Sequence, residues 1–130
     1  MKKLLFVAMI GFATMLTACS DGPQARVEAF YKHLDRAEIA DAMAIVDPGQ
    51  VKALGDINFR TLLSKFSEGT KTSGGIKSIS SSGSERGDLA DYDVAITSVK
   101  GKQEPEHIVT KMIKIEGKWY VDFNRTFFAK

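Results

Sequence analysis

The chain has 130 residues, with 18 Lys and Arg against 16 Asp and Glu, a formal net charge of +2, and one cysteine. A single cysteine excludes an intramolecular disulfide, and a chain of this length needs only one core. The positive excess is Lys2 and Lys3; without the first 18 residues acid and base balance, which removes the electrostatic footprint expected of a nucleic-acid binder.

Those 18 residues, MKKLLFVAMIGFATMLTA, place two lysines before an apolar run from Leu4 to about Leu16 and end on small residues. That is the layout of a secretory signal peptide, and the run is shorter than the ~20 apolar residues that span a bilayer. Cys19 stands directly behind it. Leu16-Thr17-Ala18-Cys19 resembles the lipobox of bacterial lipoproteins. The resemblance implies removal of residues 1–18, a diacylglycerol on the Cys19 sulfur and an acylated new amino group. Two or three acyl chains hold stably where one holds reversibly, so Cys19 is expected to be the lipidation site and a membrane tether. The resemblance also implies a Gram-negative sorting rule in which Asp after the cysteine favours the inner membrane. Ser20 fills that position and points to the outer membrane, although Asp21 follows one place later. Residues 19–22 would form the tether and 23–130 a single domain. Four steps from Cys19 to Pro23 reach about 14 Å, which expects the domain close to the lipid on the periplasmic face.

Ser20 or Asp21 can cap a first helix, and Pro23 suits its first turn. Val27, Phe30, Tyr31 and Leu34 then fall at i, i+3, i+4 and i+7, predicting a helix to about Arg36. Ile39, Met43 and Val46 predict a second helix, with Ala40, Ala42 and Ala44 allowing close approach and Asp47-Pro48-Gly49 ending it. Phe59, Leu62, Leu63 and Phe66 predict a third from about Asn58 to Glu68.

From Gly69 to Gly87 the chain is rich in Ser, Gly and Thr around Ile76 and Ile79, which suits an edge strand flanked by loops; Thr70 to Ser84 reads as low-complexity loop, and Gly74-Gly75 as flexibility. Tyr92, Val94 and Ile96 then alternate with Asp91, Asp93, Ala95 and Thr97, a half-buried strand. A turn at Lys100-Gly101-Lys102 leads to a strand from about His107 to Ile115. A second turn at Glu116-Gly117-Lys118 leads to alternating Trp119, Val121 and Phe123. Helices first and antiparallel hairpins afterwards is an α+β order. The expected architecture is N-terminal helices packed on the concave face of a curved antiparallel sheet, with the cone between them mostly filled.

The stretches VEAFYKHLDRAEIADAM (27–43), GIKSI (75–79) and IEGKWYVD (115–122) resemble small bacterial lipoproteins of a domain-of-unknown-function family in the nuclear transport factor 2-like, or cystatin-like, superfamily. The resemblance covers nearly all of the mature chain and implies the same cone. In some members of that superfamily the mouth of the cone is an enzyme pocket; in others it is a binding cavity, a dimer surface or simply core, so fold alone does not give function.

An enzyme of that kind implies an Asp base with a Tyr or His partner, and Tyr31 and Asp47 are the nearest candidates in kind for an acid/base lyase or isomerase. Each also has a plain structural reading: Tyr31 lies on a core stripe, and Asp47 precedes Pro-Gly as turn residues do. His33 is placed on a wet helix flank and His107 at the start of a strand. Neither shows metal-ligand spacing, and no cofactor motif is present. Trp119 and Phe123 are expected in the core. Phe127-Phe128 are candidate binding residues, because adjacent strand residues point to opposite faces. The sequence therefore favours a non-enzymatic envelope domain that takes a protein partner or a small apolar ligand. The alternatives are a cone-mouth enzyme and a homodimer through the outer sheet face.

Overall fold

The stripe on the first predicted helix is fully buried. Val27, Phe30, Tyr31 and Leu34 are at most 1% exposed on α1 (Pro23–Asp35) in the computed structural model, which describes residues 22–128. The cap position is held by Gly22 in an extended conformation, with Pro23 in the first turn. Ser20 and Asp21, the expected caps, lie outside the described residues, as do the expected signal peptide and Cys19.

The second predicted helix divides. α2 covers only Ile39–Met43, and of the three alanines only Ala42 is buried. The chain then extends, with Val46 bridging Val121 in parallel. Asp47 does not end a helix but begins one. Its carboxylate accepts from Gly49 N at 2.9 Å at the start of α3 (Pro48–Leu54). Asp before Pro fits an N-cap followed by a first-turn proline as well as it fits a turn.

α4 runs from Asp56 to Thr72 and buries Phe59, Leu63 and Ser67. The glycines after it close it and are not a flexible linker. Gly74 N bonds to Lys71 O at 2.9 Å and Gly75 N to Thr70 O at 3.0 Å, the pair of bonds of a Schellman motif, with Gly74 at φ 80.

Four strands follow as an antiparallel meander in the order β1 (Ile76–Arg86), β2 (Leu89–Ser98), β3 (Glu106–Ile115) and β4 (Lys118–Val121). Most of the stretch read as loop is therefore β1, an 11-residue edge strand. Its serines carry little β propensity. What holds them is the ladder to β2 and two contacts from α1: Ser81 donates to Glu28 Oε2 at 2.5 Å, and Gln24 donates to Ser81 O at 2.8 Å. On the inner face Ala90, Tyr92 and Val94 of β2, Thr110 and Met112 of β3, and Trp119 and Val121 of β4 are buried against the helices. The outer face is wet and carries the cross-strand pairs Lys111–Asp91 and His107–Asp93. Together these elements form an α+β cone, helices against the concave side of a curled four-stranded sheet. Among the described residues no helix is long and apolar enough to cross a membrane.

One glycine marks where two strands meet most closely. A Cβ at Gly83 would lie 1.9 Å from the carbonyl oxygen of Asp91 on β2, so Gly83→Ala must force the β1–β2 ladder apart. It is expected to cost about 2 kcal/mol, in the range of overpacked interiors, whereas Ser84→Ala next to it should be near neutral. Urea unfolding of both variants checks this; equal midpoints would refute the close-approach account.

Candidate functional site

Tyr31 reaches the interior because the 3.6-residue stripe of α1 leaves it no other face. Its ring lies 5.1 Å from Phe30 and 6.2 Å from Phe66, centroid to centroid. A phenol carried that deep needs a partner for its hydroxyl. Thr110 of β3 supplies it, with the two oxygens 2.7 Å apart. Burial pushes the Tyr31 hydroxyl up to about 12, and the Thr110 hydrogen bond offsets this only in part. Tyr31 is therefore neutral at physiological pH.

Beside Tyr31 the cone opens into a cleft of about 510 Å³. α4 forms one wall with Lys65, Phe66, Gly69 and Thr70; Ile96 of β2 with Glu106 and Ile108 of β3 form the other, and Phe127 closes one side. The deep cone is filled by core side chains, as the apolar stripes suggest, while the mouth is open.

The last described segment differs from its expected form. Residues Asn124–Phe128 form a π-helical turn, not a strand, so the two phenylalanines do not divide between sheet faces. Phe127 is half-buried, 4.6 Å from Phe123 and 5.9 Å from Phe66, and lines the cone mouth. Phe128 is 60% exposed and borders a second cleft of about 520 Å³ with Ala53, Leu54, Phe59 and Leu62. Asp122 fixes the turn from a buried position. Its Oδ1 accepts from Gln50 Nε2 at 2.7 Å and from Arg125 N at 3.2 Å, while its main-chain oxygen accepts from Thr126 Oγ1 at 2.8 Å. Trp119 and Phe123 are core residues, 6% and 4% exposed.

Tyr31 and Asp47 are not brought together. Asp47 caps α3 and does not line the cone mouth, where the carboxylate is that of Glu106. His33 is half-buried, its Nδ1 2.9 Å from Glu38 Oε1, and Asp41 joins them to form a group whose ligand-type atoms lie within 4.8 Å of one another. The turn at Ala37, with φ 58, makes that approach, and no sequence spacing announced it. The His33–Glu38 hydrogen bond accounts for the approach of that pair.

The sequence reading missed Thr110, Lys65 and Glu106. Thr110 had a readable signal, a hydroxyl between Ile108 and Met112 on the inward-facing register of β3. Lys65 and Glu106 had none, because an exposed charge beside a cleft looks like any other solvated charge.

No family model matches the chain, and no curated protein does. Among solved structures, that of a "Putative NTF2-like transpeptidase" from Campylobacter jejuni superposes with a TM-score of 0.65 and 18% identity, covering 77% of this chain and 96% of that one. At that identity the likeness establishes the fold: the chain has the nuclear transport factor 2-like α+β cone.

The pH dependence of stability follows from Tyr31. Between its ordinary value near 10 and about 12, the unfolded chain loses the proton while the folded one keeps it, so stability falls as pH rises through that window. The loss from this group should approach about 2–3 kcal/mol. Tyr31→Phe should cost about 1 kcal/mol at pH 7 and flatten the decline above pH 10. Urea titrations from pH 7 to 12 measure both, and parallel curves for the two proteins would contradict the assignment.

Proposed function

We propose that the chain is a small bacterial lipoprotein, held through acylated Cys19 on the periplasmic face of the outer membrane, whose cone-mouth cleft takes a small apolar ligand without chemical turnover. The cleft carries the reading: an opening of about 510 Å³ walled largely by Phe66, Ile76, Ile96, Ile108 and Phe127, with the tyrosine at its floor already hydrogen-bonded inside the protein. Mostly apolar clefts with a few polar groups are what small-molecule sites consist of. A protein partner in place of the small ligand would use the same open edge.

The enzyme alternative takes support from the name of the Campylobacter protein, which assigns it a transpeptidase activity. On this chain an acid/base pair at the mouth would have to be drawn from Glu106 and Tyr31, since Asp47 lies outside the cleft.

Mass spectrometry of the mature amino terminus should show an acylated Cys19, with Cys19→Ala accumulating as unprocessed precursor. A free, soluble Cys19 terminus would rule out the tether. For the cleft, 1-octanol serves as a neutral apolar probe of the full-length chain held in amphipol. It should bind the native chain at least tenfold more tightly than an Ile108→Trp variant that plugs the mouth. Equal binding by a folded variant would move the ligand site elsewhere.

A further inference from the structure

Among the described residues Lys65 is the one that borders both apolar clefts, the cone mouth and the groove under Phe128. It projects from α4 between Leu62 and Phe66 and takes part in none of the ion pairs among the described residues. Among the described residues the groove under Phe128 has no acidic residue in its lining. The cone mouth has one, Glu106, and that carboxylate also lines a polar depression with Lys100, Lys102 and a second carboxylate, Glu104. Among the described residues Lys65 is thus the cation at the edge of both apolar floors, and it stands outside every ion pair.

Among the described residues no buried side-chain nitrogen or oxygen lacks a partner, so polar recognition of a ligand in the mouth falls to the rim. A lysine suits that role, since its aliphatic stem can lie along apolar walls while the ammonium stays at the water boundary. One ammonium and no arginine in either lining fit a singly charged head group; phosphate recognition calls on several donors or a guanidinium fork.

We infer that Lys65 makes the cone mouth selective for an aliphatic carboxylate, its chain on the apolar floor and its head group at the ammonium. This rests on the cone-mouth reading above and adds the charge of the ligand to it. The test is isothermal titration of the full-length chain in amphipol at pH 7.5 with octanoate, 1-octanol and octylamine, and of a Lys65→Met variant, which keeps the length of the stem. The native chain should bind octanoate about two- to fivefold more tightly than 1-octanol, the size expected of one exposed ion pair. Lys65→Met should remove that preference, so that the variant binds octanoate and 1-octanol equally. Equal binding of octanoate and 1-octanol by the native chain would overturn the role of Lys65 while leaving the cleft reading intact. Preference for octylamine would overturn it in favour of Glu106, and a preference for octanoate that survives in Lys65→Met would place the anion elsewhere. Binding of none of the three probes would defeat the cleft reading itself, and this inference with it.

Discussion

One polar atom in an apolar interior organises this domain. α1 buries Phe30 and Tyr31 side by side, so the phenol hydroxyl arrives where water cannot serve it, and Thr110 on the third strand is the group that meets it. An unpaired hydroxyl at that depth would cost ~1–3 kcal/mol, a large share of what a domain of this size has in reserve. The pair thus fixes both the rotation of α1 about its axis and the register at which β3 lies against it. The mouth of the cone opens immediately beside that contact, so its floor has a defined shape and a neutral lining.

The walls of the mouth are held by other means. At one side, Asp35 Oδ1 at the end of α1 accepts from Ile76 N, while Val99 N and Lys100 N bond back to Gly75 O and Ser73 O beyond the end of α4. These bonds lock the start of β1, the end of β2 and the last turn of α4 together. At the other side, Asp122 and Gln50 hold the π-helical turn and so place Phe127 against Phe66. Neither set of contacts involves the residues most exposed in the cleft. The scaffold is rigid behind side chains that remain free to meet a ligand.

Periodicity made the cone legible in the sequence, because a helix stripe or strand alternation reflects burial, and burial is what the fold conserves energetically. Val27, Phe30, Tyr31 and Leu34 on α1, and Tyr92 and Val94 on β2, sit where their spacing put them. The Ser-rich stretch is the edge strand its composition suggested, but it is longer than read, since β1 is held by its partner's ladder and by α1, neither of which is a local signal. Asp47 was assigned to the wrong end of a helix because its local chemistry is the same in both roles. Phe127-Phe128 followed a strand pattern until the Asp122 contacts, which join residues 72 positions apart, bent the chain into a π-helical turn. The candidate site was less legible than the fold, since Thr110, Lys65 and Glu106 take their meaning from what lies opposite them in space.

The extended segment after α2 carries a consequence for how the protein is made. Ile45 O accepts from Val121 N, and Asp47 N donates to Val121 O, so a stretch from the first half of the chain pairs with the last residue of β4. A polypeptide emerging amino end first exposes residues 45–47 long before residue 121 exists. Their pairing must await the synthesis of residue 121, and closures of that sequence separation slow folding. The helical half is thus left without its strand partner during elongation, and the domain closes only when its two halves are both present.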